Sequence, residues 1–254
     1  MAQILYAKDA KVFAAARSEE KASAAIASIK TAHPNSKGEL IFLKLDLADL
    51  STIKATANDF LKQETKLHAI INNAGVMTPP QGSKTAQGYE LQLGTNNVGT
   101  FLFTKLLTPV LTATAKAEPP NTVRVVWVSS SASEAFSPPG GVDLSNLDYH
   151  NDKSAAHKYG VSKAGNYLHA VEFAHRHSAT DGIVSVALNP GNLETDLVRH
   201  RNWLEKAFLK YLIQHPPIYG AYTELFGALS PAVTVESTKE NNYWRKWMRF
   251  PPCL

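Results

Sequence analysis

One cysteine, Cys253, stands in a chain of 254 residues, so no disulfide can form within it, and a reducing, cytoplasmic setting is the expected one. No stretch approaches the roughly 18 consecutive apolar residues of a membrane-crossing helix. The opening Met1–Val12 is broken by Lys8, Asp9 and Lys11 where a secretory signal would be apolar. Basic residues exceed acidic ones only by 26 to 22 and lie scattered along the chain, which argues against a nucleic-acid surface. The nine histidines show no ligand spacing with cysteines or carboxylates, so no metal site is expected; His175 and His177, flanking Arg176, read as a solvated helix face. None of the 14 glycines precedes Gly38, which excludes a glycine-rich phosphate-binding turn before that point. With 44% apolar and 19% charged residues, the expectation is a single domain over 1–254.

What is present alternates. Short β-branched or apolar runs at Lys11–Ala16, Leu40–Leu45, Leu67–Asn72, Val123–Val128 and Ile183–Leu188 are separated by longer segments of helical period. Ser18 is placed to cap a helix with Glu19 and Glu20 in its first turn, stopped by His33-Pro34-Asn35. Leu50–Leu61, Asn96–Leu111 and Ala155–His175 carry the helix formers and apolar spacing needed to cover a sheet face. Strands alternating with helices in this way predict an α/β fold, a doubly wound, mostly parallel sheet with ligands outside the carboxyl ends of its strands. From about Asn192 the pattern loosens toward the aromatic, basic tail Tyr243–Phe250, and Asn192–Tyr222 is the expected substrate-facing wall.

Chemistry concentrates at a few positions. Tyr159 and Lys163 are four apart on the last long helix, which puts phenol and ammonium on one face. A cation beside a phenol favours the phenolate, and the pair can exchange a proton with an alcohol or carbonyl oxygen. The same spacing recurs at Tyr149 and Lys153, but in a stretch of loop-forming residues, so Tyr149 reads as surface structure. Ser129-Ser130-Ser131 ends an apolar strand, where a hydroxyl can bond a substrate oxygen as its charge changes, although serines there also serve as turn formers. Another apolar strand ends in Asn72-Asn73-Ala74-Gly75.

Asn72-Asn73-Ala74-Gly75, then Asn96-Asn97-Val98-Gly99, Ser130, the Tyr159 and Lys163 pair, and Asn189-Pro190-Gly191 occur in the order and context of the short-chain dehydrogenase/reductase family, which the chain resembles from about Ala2 to Ser230. Leu45-Asp46-Leu47-Ala48-Asp49-Leu50 and Gly75-Val76-Met77 resemble most the retinol-dehydrogenase-like members, including many fungal ones. The resemblance implies hydride transfer to or from a nicotinamide ring, with Tyr159 as general acid/base, Lys163 lowering its pKa and bonding the nicotinamide ribose, Ser130 orienting the reacting oxygen and Asn96 supporting a proton relay. It places Asp46 beside the adenine, Asn73, Ala74 and Gly75 along the adenosine, and Lys105, Leu193 and Thr195 around the nicotinamide half. Arg17 ends a strand where the family selects its cofactor. An arginine there can pair with a 2′-phosphate, so NADP is expected over NAD, against the alternative of a surface arginine.

Two departures qualify this. The family opens with a strand, a glycine-rich turn and a helix that receives the pyrophosphate, and here Met1–Tyr6 reads as the end of that helix. The expected sheet therefore lacks its first, central strand. Tyr243–Trp247 and Pro251–Leu254 do not continue into the family's closing strand and helix either. Three readings follow: an incomplete gene model of an active oxidoreductase, a truncated relative that binds a partner without catalysis, or a degenerate copy; for the first the resemblance implies a hydroxyl or carbonyl of a small apolar or secondary-metabolite-like molecule as substrate, with a homo-oligomer left open.

Overall fold

A computed structural model describes residues 1–194 and 215–239. Five strands form where the apolar runs place them, within one or two residues: β1 (Lys11–Ala16), β2 (Glu39–Lys44), β3 (Ala69–Asn72), β4 (Arg124–Val128) and β5 (Val184–Leu188). The helices are α1 (Ala2–Tyr6), α2 (Glu19–Ala32), α3 (Leu50–Leu61), α4 (Leu91–Leu93), α5 (Thr100–Ala117), α6 (Ala132–Phe136), α7 (Ala155–Asp181), α8 (Pro217–Leu229) and α9 (Val235–Thr238), with a π-helical turn over Gly94–Gly99 leading into α5.

Their ends have local causes. Ser18 accepts a hydrogen bond from the Lys21 amide and opens α2, while Asp49 accepts from the Ser51 amide and opens α3. Each supplies an acceptor to a first-turn donor that the helix itself leaves unpaired. Ser154 does the same for α7 through the His157 amide. That helix runs past the expected His175 to Asp181, and Gly182 ends it at φ 73°, a left-handed conformation that favours glycine. The helical run from Leu91 to Ala117 is long and apolar enough to cross a membrane by length and composition. Its side chains Phe103, Leu107 and Leu111, however, are buried in the protein's core.

The five strands pair in parallel but fall into two sheets, β1-β2 and β3-β4-β5. Among the described residues β1 and β3 each keep one unpaired edge, the arrangement expected of a doubly wound sheet without its central strand. Packing joins what hydrogen bonds do not. Phe13 and Leu43 from the first sheet share one core with Ile70, Val125 and Trp127 from the second, bridged by Ile53 and Phe60 of α3 and Leu107 of α5. Phe13 meets Phe60 edge-on, centroids 4.9 Å apart.

Strand β4 is buried on both faces with the period of two that a strand imposes. Val125 and Trp127 enter the shared core, and Val126 and Val128 enter a second cluster with Val186, Leu188 and Ala228 of α8. Because β4 is paired on both sides and β1 on one only, hydrogen exchange should separate them. The β4 amides are expected to exchange with the slowest class in the molecule and alternate β1 amides at least roughly tenfold faster. Equal protection in β1 and β4, read by NMR or mass spectrometry, would show that the free β1 edge is covered in solution.

Candidate functional site

Within each sheet parallel pairing sets the carboxyl ends of the strands along one edge, and the close approach of Gly99 to the Leu47 carbonyl, just past β2, brings the first sheet's edge to the turn that carries Asn96. Beyond β3, the buried Asn72 donates to Thr104 of α5 at 3.0 Å, which fixes the strand exit against that helix. Asn73 and Ala74 are exposed on the following turn. A side chain at Gly75 would stand 2.8 Å from Asn96 Oδ1 and 3.7 Å from Lys163 Nζ, so glycine lets the turn pass close against both.

Asn96 is 1% exposed and fully engaged. Its Oδ1 accepts from the Val76 amide at 2.8 Å, and its Nδ2 donates to the Val76 carbonyl at 3.0 Å and to Ser162 Oγ at 2.9 Å. The amide therefore clamps the β3 turn onto α7, with both of its N–H donors committed and none left for a substrate. Any part Asn96 plays in a proton relay falls to its backbone or to its positioning of the loop.

After β4 the three serines take different roles. Ser129 is buried and donates to the Lys163 carbonyl at 2.6 Å, tying the strand end to α7. Ser130 Oγ accepts from the Ala132 amide at 3.2 Å and hydrogen bonds the Tyr159 phenol. Ser131 precedes α6.

Tyr159 is 7% exposed, and Lys163 Nζ lies 5.8 Å from the centroid of its ring. Burial pushes the phenol up to about 12, against the Ser130 hydrogen bond that lowers it. The sequence reading had the lysine lowering the phenol's pKa. Here the ammonium instead donates to the Val128 carbonyl at 3.0 Å, and desolvation dominates. Burial also brings Lys163 down to about 8, with the charge of Glu224 on α8 acting the other way. Both charged forms are disfavoured separately, so a turn of Nζ from the carbonyl toward the phenol would let each charge compensate the other.

Arg17 follows β1 and is exposed; Asp46 follows β2 and accepts from the Ala48 amide at 2.9 Å. The register that pairs Ala16 with Lys44 brings these two strand ends side by side. Lys105 does not join them. It lines a cavity of about 300 Å³ between α5 and α7 with Phe101, Trp127, His169, Phe173 and Arg176, and neither Tyr159 nor Lys163 borders that cavity. The nine residues from Asn96 to Lys105 carry it about two and a half helical turns from the strand edge. Leu193 pairs with His215 in a parallel bridge and packs on Gly220 of α8, while Thr195 falls outside the described residues, as do much of Asn192–Tyr222 and all of Tyr243–Phe250.

Tyr149 is not the surface residue its loop composition predicts. Its hydroxyl is buried without a hydrogen-bond partner, and the ammonium over its ring, at 5.0 Å, belongs to Lys158 and not to Lys153. Lys158 is held by Asp152 at 2.6 Å, and Asp152 also accepts from Gln81 at 2.7 Å. This network braces the entry to α7 away from the Tyr159 phenol. Sequence reasoning missed Asn166, Ser162 and Glu224. The first two lie within three residues of Lys163 on its helix, and Glu224 shares a buried stripe with Gly220, Gly227 and Ala228, a spacing readable in advance. Among the described residues no three His, Cys, Asp or Glu side chains converge as a metal site would require.

Comparison with known proteins agrees with this architecture. The short chain dehydrogenase family model matches residues 1–142. A short-chain dehydrogenase/reductase of Phomopsis amygdali is 60% identical over 248 residues, covering 97% of this chain and 74% of that protein. The short-chain dehydrogenase/reductase sthC of Phaeosphaeria nodorum is 49% identical over 259 residues, covering 99% and 81%. Among solved structures, the Pseudomonas aeruginosa RhlG/NADP active-site complex matches with a TM-score of 0.67 at 22% identity, over 92% of this chain and 86% of that one, a likeness of fold. With the strand-edge cluster of Ser130, Tyr159 and Lys163 and these matches together, the chain belongs to the short-chain dehydrogenase/reductase family, oxidoreductases that act on CH–OH groups.

Proposed function

We propose that this protein is an NADP-dependent oxidoreductase that interconverts a hydroxyl and a carbonyl on a small apolar molecule. One observation carries the reading: a buried phenol, Tyr159, has a serine hydroxyl beside it and a lysine ammonium 5.8 Å from its ring centroid at the carboxyl edge of a parallel sheet. The donor set there suits a nicotinamide dinucleotide. Exposed Arg17, Asn73 and Ala74 with half-buried Asp46 and Gly75 would hold the adenosine end, and Lys163 and Tyr159 the nicotinamide ribose. The bound cofactor supplies or accepts a hydride.

In the reducing direction Tyr159 gives its proton to the carbonyl oxygen as the carbon gains hydride, and Ser130 donates a hydrogen bond to that oxygen while its charge grows. The Lys163 ammonium, leaving the Val128 carbonyl, stabilises the tyrosinate that remains until solvent reprotonates it. In the oxidising direction the tyrosinate takes the alcohol proton.

Arg17 supports the phosphorylated cofactor, since a guanidinium at the end of β1 can pair with a 2′-phosphate. The RhlG neighbour is an NADP complex. Arg17→Asp is expected to weaken NADPH binding by roughly tenfold or more while changing NADH by less than about threefold, because a pairing becomes a repulsion only for the phosphorylated form. Titration followed by NADPH fluorescence and thermal shift tests both claims. Equal losses for the two cofactors would remove Arg17 from the selection, and the absence of any response to either would count against the oxidoreductase reading itself.

A further inference from the structure

Two amides behind Lys163 have no part in the chemistry above, and their hydrogen bonds lead directly to it. Asn97 is 5% exposed and Asn166 is 2% exposed. Asn97 Nδ2 donates to the Ser162 carbonyl at 2.8 Å and to Asn166 Oδ1 at 2.8 Å. Asn166 Nδ2 then donates to the Val128 carbonyl at 3.0 Å, the same oxygen that receives Lys163 Nζ at 3.0 Å.

We propose that Asn97 and Asn166 are a positioning pair that aims the Lys163 ammonium through the carbonyl of Val128. The proposal rests on the oxidoreductase reading for its consequence in turnover, and on the hydrogen bonds alone for its effect on the lysine.

The orientation of each amide is fixed. Turning Asn166 over would set its oxygen against the Val128 oxygen and its NH₂ against that of Asn97. Turning Asn97 would set its oxygen against the Ser162 carbonyl and against Asn166 Oδ1. Asn97 holds this orientation although its own Oδ1 is buried with no partner, so the fold accepts an unsatisfied acceptor to keep two donors aimed at α7. A Cβ at Gly165 would lie 2.6 Å from Asn97 Nδ2, which shows how closely that amide lies on the helix backbone.

The π-helical turn Gly94–Gly99 places consecutive residues in complementary duties, Asn96 holding the β3 turn and Asn97 holding α7. A carbonyl oxygen offers two lone pairs. With Asn166 on one, a single place remains for the ammonium, and the pull of the carbonyl on Lys163 is moderated because it is shared. Lys163 can then leave Val128 for Tyr159 as tyrosinate forms. The ionisable groups facing Lys163 are Tyr159 on its own helix and Glu224 on α8; β4 presents only its backbone, and the β3 turn presents Gly75 and the committed Asn96.

Side-chain ¹⁵N NMR of the cofactor-free protein, with the Lys163 resonance assigned through Lys163→Arg, reads the lysine without any turnover. In Asn166→Leu and in Asn97→Ala the Val128 carbonyl loses or loosens its second donor and binds the ammonium harder, so the Lys163 midpoint is expected to rise by about half a pH unit or more in both. In the same variants kcat for carbonyl reduction should fall by roughly fivefold or more, with KM for the carbonyl changed less than about twofold.

Asn166→Asp keeps the acceptor for Asn97 but turns a charged oxygen toward Val128 and Lys163. It should raise the midpoint further, and it serves where the leucine variant melts too low to titrate. Midpoints unchanged in all variants, with only the melting temperature lowered, would overturn the proposal and leave the pair as a strut between the π-helical turn and α7. A wild-type protein without turnover but with the midpoint shifts intact would overturn the oxidoreductase reading and uphold the positioning pair.

Discussion

Tyr159→Phe is expected to lower turnover of a carbonyl substrate by roughly 10²–10⁴-fold, the range spanned by a positioned general acid, while Tyr149→Phe leaves it nearly unchanged. The two substitutions remove the same atom from two tyrosines that share the same spacing to a lysine, so they differ only in where the fold puts the hydroxyl. At Tyr159 it stands beside Ser130 at the strand edge with Lys163 nearby. At Tyr149 it is buried with no partner, so its loss removes an unsatisfied polar group and should hold or raise the melting temperature. Steady-state kcat for both variants, with melting curves to establish folding, decides the matter. Near-normal turnover in Tyr159→Phe, or a large loss in Tyr149→Phe, would reverse the assignment.

The contrast between the two tyrosines also marks the limit of what the chain discloses before it is folded. Strands and helix starts were legible because their causes are local: β-branched or apolar runs for β1 to β5, and a capping side chain such as Ser18 next to the amide it accepts from. The strand-edge grouping of Ser130, Tyr159 and Lys163 was legible once parallel strands were expected, since parallel strands end together. The burial of Tyr149 was not, because Asp148, His150 and Asn151 are loop formers whichever way the ring between them turns. The face on which Lys105 lies was not legible for a related reason: it depends on the π-helical turn Gly94–Gly99 before α5, and nothing in the spacing announces that turn.

The direction of the Tyr159 shift escaped the sequence as well. A lysine four residues away guarantees proximity, not orientation. The Val128 carbonyl competes for the same ammonium at 3.0 Å, and a burial of both side chains that no local pattern encodes decides which effect wins. The interruption between β1 and β3 was anticipated from the family resemblance and the lack of any glycine before Gly38, because the central strand of such sheets is followed by a glycine-rich turn. How the two sheets stay together was not, since it depends on long-range contacts such as Phe13 on Phe60.

Glu224 gives the largest expected effect on stability. It sits on the buried face of α8 at 6% exposure, and desolvation raises its pKa from 4.5 to about 7, with nearby positive charge at the amino terminus and on Lys163 pulling the other way. A carboxyl whose pKa is higher folded than unfolded holds its proton more tightly in the native state. Its protonated form is therefore fully tolerated below about pH 4.5, and stability is lost as pH rises from there to about 7. A rise of that size corresponds to on the order of 3 kcal/mol. Glu224→Gln keeps the shape and removes the ionisation, so the variant should match the parent near pH 4.5 and exceed its unfolding free energy increasingly up to pH 7. Urea unfolding of both proteins at half-unit steps measures this as a difference, in which the titrations they share cancel. A constant offset across the range would show that Glu224 reaches water and titrates normally. The same substitution removes a charge that holds the Lys163 pKa up, so the lysine of the variant should titrate lower than that of the parent. That linked pair of shifts, stability gained on one side chain and proton affinity lost on the other, is what a buried carboxyl facing a buried ammonium requires.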